Sequence, residues 1–282
     1  MKTPAQTMLE NALGVRPSRL QSLTGGCVAT VYRADMTDGS RVVAKVETGP
    51  SASLSIEGMM LRYLKENTDF PVPEVLHCSD ELLVMDFIDN DGTVSVAGQK
   101  RAAELVADLH SHSAAAFGFD YDTLIGPLHQ PNPWISSWSD FFAEERLMYM
   151  GGLCVSAGRM ETKTLSAIEN LCARLDTYLE PGPPSLIHGD IWGGNVLFRR
   201  GDIVAFIDPA IYFGDPEIEL AYTTLFSTFD DAFYKRYDEI RPIRDGFFEA
   251  RKDIYNLYPL LVHVRLFGGS YLDSVQEILR RL

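Results

Sequence analysis

The chain has 282 residues, 46% of them hydrophobic and 23% charged, which is the composition of an ordinary globular protein able to bury a sizeable core in two lobes. Its formal net charge of −14 excludes a nucleic-acid backbone as the expected partner, because such binding needs a positive surface. No apolar run approaches the roughly 20 residues of a membrane span, the stretch Met1–Glu10 lacks a signal-peptide core, and the four cysteines show no C-x-x-C pair; a cytoplasmic protein with reduced thiols is expected.

A short helix is expected within residues 1–20, ended by Gly14 and Pro17. Two β-rich runs, Ser22–Arg33 and Arg41–Val46, flank a turn at Asp38-Gly39 and predict a hairpin. The first run contains Gly25, Gly26 and Cys27. A glycine turn of this kind can lay backbone N–H groups over phosphates, although such a pair is more often only a turn. On the second run Lys45 shares a face with Val43, which turns it toward a cleft or leaves it as an exposed strand lysine. Ile56, Met59, Met60, Tyr63 and Leu64 recur at helical spacing, with Glu57 near the edge of that face.

Pro71-Val72-Pro73 breaks the chain before a short strand, Glu74–Cys78. Glu81–Ile88 reads as a buried strand running into a polar link, Asp89–Gly92, where a division into lobes of residues 1–88 and 89–282 is expected. The backbone of Asp86, Phe87 and Ile88 can pair with an adenine edge, an assignment made on position alone. Beyond the link the pattern turns helical. Ala102, Leu105, Val106 and Leu109 share a face, as do Trp138, Phe141 and Phe142. Leu165, Ile168, Cys172, Leu175 and Leu179 continue the pattern up to Pro181-Gly182-Pro183-Pro184. Residues 230–282 are again helical, interrupted by Pro242, Pro259 and Gly268-Gly269. His110 and His112 are two apart on a predicted helix and point different ways, so with His129 they are read as structural rather than as metal ligands.

The chemistry concentrates in Leu186–Phe198 and Ile207-Asp208-Pro209. The pattern is strand, polar loop, strand, a turn at Arg199–Asp202 and a further strand from Ile203 to Ile207, read as one small sheet. Asp190 can accept a proton, Asn195 can offer an amide oxygen to a cation, and Asp208 can ligate that cation. Phosphoryl transfer needs this set: a base for the attacking hydroxyl, then an Asn and an Asp on Mg²⁺. Four residues separate Asp190 from Asn195, the gap found between base and Asn in protein kinases. A lone His-Gly-Asp triplet is usually a capped loop; Asn195 at this gap and Asp208 after a strand are what favour chemistry. In the same template a strand lysine held by a helix glutamate positions the phosphates, and Lys45 with Glu57 would fill those roles. Gly189 in place of an arginine favours a small-molecule kinase over a protein kinase.

These residues resemble one family, the fructosamine or ketosamine kinases, within the aminoglycoside phosphotransferase and choline kinase group. The likeness includes Phe117-Gly118-Phe119, Gln130-Pro131-Asn132, Trp138–Phe142 with Glu145-Arg146-Leu147, and Glu217–Ala221. It continues through Tyr258–Leu261 and Leu266–Leu272 and takes in almost the whole chain. The resemblance implies an α+β, two-lobed protein-kinase-like fold with a small antiparallel-sheet N-lobe and a larger, mainly helical C-lobe. It implies ATP and Mg²⁺ as cofactors and phosphorylation of the sugar 3-hydroxyl of free or protein-bound ketosamines, a deglycation reaction. Asp190 would be the proton acceptor, Asn195 and Asp208 the Mg²⁺ ligands, and Trp192, Tyr212 and Asp215 substrate contacts, with Trp192 either stacking on the sugar face or only packing. Asp215, Glu217 and Glu219 either attract a cationic substrate amine or tie down a helix N-terminus. Two positions depart from the family pattern: Pro216 stands where an arginine is expected, and Ile211 where a small polar residue is expected. A kinase of another amino alcohol or aminoglycoside, and a nucleotide-binding protein without catalysis, remain the alternatives. A monomer or weak dimer without nucleic-acid or membrane partners is expected.

Overall fold

Alternation of small or branched residues with polar ones builds the first part of the chain into a sheet. The computed structural model describes residues 3–23, 29–49 and 52–282; Gly25, Gly26 and Cys27 lie outside the described residues. Helix α1 (Pro4–Leu13) is opened by a Thr3–Gln6 capping box and ends at Gly14, as expected. Strands β1 (Pro17–Ser22), β2 (Thr30–Met36) and β3 (Arg41–Val46) follow, then helix α2 (Leu54–Asn67), β4 (Val75–Cys78) and β5 (Leu82–Asp86). The strands form an antiparallel sheet in the order β1-β2-β3-β5-β4, and the β2–β3 pair is the predicted hairpin.

Neighbouring strand residues face opposite sides. Ala34, Met36, Val42, Ala44, Leu82 and Val84 meet Leu9 of α1 on one face, while Lys45, next to Ala44, reaches Glu57 of α2. The α2 surface that is buried differs from the expected stripe. Leu54, Gly58, Met60, Leu61 and Leu64 are covered, and Ile56, Met59 and Tyr63 are only half-buried. Gly58 explains the rotation: a Cβ there would stand 2.2 Å from Cys78 Sγ, so the glycine lets the helix come down on β4.

Helix α3 (Val96–Leu109) comes next, followed by the pair β6 (Thr123–Ile125) and β7 (Leu128–Gln130). Helix α4 (Trp138–Phe141) runs through a π-helical stretch, Phe142–Met148, into α5 (Tyr149–Ser156); α6 (Thr162–Cys172) follows. Then come β8 (Ser185–Ile187), β9 (Val196–Arg199), β10 (Asp202–Phe206) and β11 (Tyr212–Gly214). The last helices are α7 (Pro216–Leu225), α8 (Asp231–Ile240), α9 (Lys252–Phe267) and α10 (Ser270–Arg281). Helix α6 stops before Pro181, because a 3₁₀ turn at Leu175–Thr177 takes over; Leu175 and Leu179 are buried nonetheless. Pro259 lies inside α9 and does not interrupt it. Every residue from Ile254 to Val262 is buried, and that packing outweighs the ~3 kcal/mol that a helix-interior proline costs.

The chain divides into two compact units, Met1–Gly98 with Gly194–Ala210, and Gln99–Gly193 with Ile211–Leu282. The expected single cut after residue 88 is therefore corrected: the β9–β10 hairpin belongs with the sheet. The N–H groups of Asp91 and Gly92 donate to the Phe198 carbonyl at 3.0 and 3.2 Å, and Phe206 N–H donates to the Pro71 carbonyl at 2.8 Å. Ser95 Oγ donates to the Gly201 carbonyl at 2.7 Å. The hairpin turns at Arg200 and Gly201, both with positive φ (52° and 89°), the geometry that matches strand twist. Strand β8 does not join β9 and β10. It pairs with β11, so the one small sheet expected around the motif is two separate ribbons. Among the described residues, no helix is long and apolar enough to cross a membrane.

Candidate active site

In the first unit Lys45 sits between two carboxylates. Its Nζ donates to Glu57 Oε1 at 2.7 Å and to Asp208 Oδ1 at 2.6 Å. Burial alone would push the ammonium pKa down, but Glu57 and then Asp208 outweigh it and hold it above the ordinary lysine value. Burial pushes the Glu57 carboxyl up against the pull of Lys45, and the Asp208 charge adds to the rise. One cation is thus shared by two acids. A phosphate arriving beside Lys45 can take the place of one of them.

Asp208 follows β10 in a left-handed conformation with φ 55°, uncommon outside Gly, Asn and Asp and frequent at functional positions. Its side chain is 35% exposed. The Ile207 N–H donates to the Asn195 carbonyl at 3.0 Å, which fixes Asn195 beside the end of β10. The amide of Asn195 and the carboxylate of Asp208 are hard oxygen donors suited to Mg²⁺. Among the described residues no group of three His, Cys, Asp or Glu side chains is assembled to hold a metal. That donor set fits a cation held by one or two protein oxygens and completed by phosphates.

Asp86 and Phe87 are less available than position suggested. Their N–H groups donate to the carbonyls of Glu74 and Arg41 at 3.1 and 3.2 Å. The expected pairing of this backbone with an adenine is thereby left to its carbonyls and the N–H of Ile88.

The second unit holds Asp190 in a tightly braced loop. Gly189 has φ 83°, a conformation that a side chain resists, which is why glycine stands between His188 and Asp190. Glu219, on α7, accepts the Gly189 N–H on Oε1 at 2.6 Å and the His188 N–H on Oε2 at 3.1 Å. Oε2 also lies 3.0 Å from His110 Nε2, and His110 Nδ1 lies 2.8 Å from the Tyr237 hydroxyl. Burial would raise the Glu219 carboxyl, yet its bond to His110 and the nearby His110 and His188 hold it below the usual range. The Asp190 N–H donates to His188 Nδ1 at 3.3 Å. The carboxylate of Asp190 is half-buried and hydrogen-bonded by Tyr222, whose phenol is pushed well up by burial and by that negative charge.

Two expected substrate contacts are corrected. Asp215 is 0% exposed. It caps α7 by accepting the Glu217 N–H at 2.9 Å, accepts the Gly182 N–H at 2.9 Å, and receives both oxygens' worth of Arg244 Nη2 at 2.9 Å. Burial raises its carboxyl against Arg244. Glu217 is likewise taken by Arg244 Nε at 3.0 Å and Arg251 Nε at 2.6 Å. These acids tie down the helix rather than attract a substrate. Pro216 occupies the first turn of α7, where a missing N–H costs nothing. Arg244 brings to Asp215 the guanidinium absent at 216. Tyr212 is 1% exposed, lies under the Arg146 guanidinium at 3.9 Å, and borders a cavity of about 20 Å³ with Gly189 and Glu219. Ile211 is fully buried. Trp192 is 40% exposed and meets the Phe226 ring in a T-shaped arrangement at 6.0 Å.

Tyr222, Arg244 and Arg251 carry no signal in the sequence pattern, whereas His110, read there as structural, is buried against Glu219 and Tyr237. The run Pro216–Ala221 did carry a signal: acids embedded in an apolar helix demand cationic partners when buried. Which cations answer is a long-range matter that spacing does not encode.

The sequence profile of the family described as fructosamine kinase matches residues 1–282. A chain from Synechocystis named a probable ketoamine kinase is 34% identical over 278 residues, covering 94% of this chain and 92% of its own. The chloroplastic protein-ribulosamine 3-kinase of Arabidopsis thaliana is 30% identical over 275 residues, covering 93% of this chain and 82% of its own. Among solved structures, a candidate fructosamine-3-kinase from Thermobifida fusca superimposes with a TM-score of 0.88 at 28% identity, covering 98% of this chain and 97% of that one. A solved aminoglycoside phosphotransferase, at 16% identity and a TM-score of 0.67, shares the fold alone.

Proposed function

The chain belongs to the fructosamine kinase family, with its two-lobed α+β protein-kinase-like fold, and on that premise we propose how its residues phosphorylate a ketosamine. The reaction transfers the terminal phosphoryl group of ATP to the sugar 3-hydroxyl of a fructosamine or ribulosamine adduct. The observation that carries the reading is Lys45 shared by Glu57 and Asp208, the strand lysine, helix glutamate and post-strand aspartate that phosphoryl transfer requires.

Asp190 orients the sugar hydroxyl and accepts its proton as the oxygen attacks phosphorus. Tyr222, by its hydrogen bond, holds the carboxylate in one orientation. Lys45 pairs with phosphate oxygens, and Glu57 keeps the ammonium aimed at them. Asn195 and Asp208 would hold Mg²⁺, which when bound offsets the charge of the phosphates. Carbonyl groups of Asp86 to Ile88 and the Ile88 N–H meet the adenine. Gly25, Gly26 and Cys27 supply backbone donors to the phosphates, and the exposed face of Trp192 stacks on the sugar. The protein works in the cytoplasm as a monomer or weak dimer, without nucleic-acid partners, in keeping with its net charge of −14.

ATP consumption with Mg²⁺ across a fructosyl-amine, a ribulosyl-amine, choline and an aminoglycoside tests the reading. Turnover confined to the ketosamines is expected. Turnover only on choline or the aminoglycoside would keep the kinase and discard the deglycation role; ATP binding without transfer to any acceptor would leave a nucleotide-binding protein.

A further inference from the structure

Residues 86–88, the stretch proposed to meet the adenine, are held by side chains as well as by the sheet. Asp86 is tied twice to Glu74: its N–H donates to the Glu74 carbonyl at 3.1 Å, and its Oδ1 accepts the Glu74 N–H at 2.6 Å. The Phe87 N–H donates to the Arg41 carbonyl at 3.2 Å. Ile88 stands one residue past that last bond to the sheet, and the polar link Asp89–Gly92 follows it. Its N–H, the donor left for a base, is therefore placed by whatever holds residues 87 and 89.

Side chains of the sheet hold both. The guanidinium groups of Arg33 and Arg41 lie over the Phe87 ring, 4.9 and 5.1 Å from its centre. Asp35 of β2 is paired with Arg41 of β3, so Arg33 and Arg41 rise from one face of the sheet. Each guanidinium is in turn aimed by an aspartate. Arg33 Nε and Nη2 donate to Asp35 Oδ1 at 3.1 and 2.9 Å. Arg41 forks Asp89, with Nη1 to Oδ1 at 2.7 Å and Nη2 to Oδ2 at 2.6 Å. Arg199 of β9 stands 3.9 Å from the same carboxylate. Arg41 thus grips the residue before Ile88 and the residue after it. All of these groups lie in the unit formed by Met1–Gly98 and Gly194–Ala210.

We propose that Arg41, seconded by Arg33, is a positioning residue for the adenine: clamped on Phe87 and Asp89, it keeps the Ile88 N–H aimed at the base. It acts through Ile88 rather than on the nucleotide. The inference rests on the ketosamine kinase reading, with ATP as donor, and deepens it. Exposed ion pairs add little to stability, so losing the clamp leaves the sheet intact and frees only the path of residue 88. Base affinity then falls, while the phosphate site on Lys45, Glu57 and Asp208 keeps its shape.

Calorimetry on the full chain with two pieces of the nucleotide tests this. Adenosine reports on the base stretch, and tripolyphosphate with Mg²⁺ reports on the phosphate site. Arg41→Gln is expected to weaken adenosine about three- to fivefold, as an exposed fork and a cation–π contact permit, with tripolyphosphate unchanged. KM for ATP should follow adenosine, and KM for the ketosamine should stay at its wild-type value. Arg33→Gln should weaken adenosine about twofold in the wild type and not at all in a Phe87→Leu background, because it acts only through the ring. Wild-type adenosine affinity in Arg41→Gln, or an equal loss for both pieces, would overturn the positioning role and leave the kinase reading standing. A wild type that binds tripolyphosphate but not adenosine would remove residues 86–88 from the base and this proposal with them. Binding of neither piece would overturn the nucleotide reading itself.

Discussion

The Lys45 ammonium lies 2.6 Å from Oδ1 of Asp208, across 163 residues of sequence. The contact ties the hairpin that ends in Asp208 to the central strand of the antiparallel sheet. It explains why Gly194–Ala210 belongs to the N-terminal unit although half of the other unit separates them in sequence. In the proposed mechanism the same pair would give the phosphates and a bound cation a common anchor.

Removing that cation should expose both of its roles. Lys45→Met leaves Glu57 buried without its partner, and the loss of a buried ion-pair member costs about 3–5 kcal/mol. The more solvent-exposed Asp208 adds little to that cost. Glu57→Gln is milder: it keeps a hydrogen bond to Lys45 but loosens its aim, and KM for ATP should rise about tenfold with a smaller change in kcat. Thermal unfolding and ATP titration kinetics separate the two effects. A Glu57→Gln enzyme with unchanged KM for ATP would remove Glu57 from the phosphate-positioning role.

Asp190→Asn keeps the shape of the loop and the Tyr222 neighbour but takes away the proton acceptor. A positioned general base is worth about 10²–10⁴ in rate. Turnover should drop by that factor or more, while ATP affinity measured by calorimetry stays near the wild-type value. Wild-type turnover in this variant would exclude Asp190 as the base.

Glu219 touches no reacting atom in this account; it positions the loop that carries Asp190. Glu219→Ala should lower kcat about 10–100-fold with KM for ATP little changed, since misplacing a catalytic group by an ångström costs about 10². The Glu219 carboxyl also sets a pH dependence. Because its pKa is held below the ordinary value of 4.5, its stabilisation is fully present above that value and is lost as pH falls through the depressed one. Asp215, raised by burial, contributes with the opposite sign. Comparing melting temperature against pH in wild type and Glu219→Gln isolates the first term: the wild type should lose more stability below about pH 4.5. Parallel curves would contradict it.

Gly189→Ala tests the loop's conformation. At φ 83° an alanine is strained by about 1–2 kcal/mol, and relief of that strain moves Asp190. Turnover should fall more than stability does, in contrast to Gly39→Ala, where a similar φ of 88° lies in a turn remote from the chemistry. Equal activity in the two variants would show that the Gly189 conformation has no part in catalysis.

Much of this was legible in sequence because it is local. The β2–β3 hairpin follows from Asp38-Gly39 between β-rich runs, and the spacing of Asp190, Asn195 and Asp208 is the pattern on which the proposed phosphoryl transfer rests. What escaped depends on contacts between distant segments. The buried stripe of α2 is rotated because Gly58 admits Cys78, and nothing local in the strands around Asp190 shows that β8 pairs with β11. Pro259 looks like a helix break in sequence because the burial of its neighbours in α9 is a tertiary fact. Their place in a family motif makes Tyr212 and Asp215 look like substrate contacts. Their burial beneath Arg146 and Arg244 could not be seen without those arginines' positions.

The central claim is that the acceptor is the sugar 3-hydroxyl of a ketosamine. The most direct measurement is phosphorus and carbon magnetic resonance of a fructosyl-amine incubated with the protein, ATP and Mg²⁺. One new phosphate ester coupled to carbon 3 of the sugar is expected, followed by release of the free amine as the adduct breaks down. A phosphate on another carbon, or an unchanged ketosamine while ATP is consumed on an aminoglycoside, would contradict it.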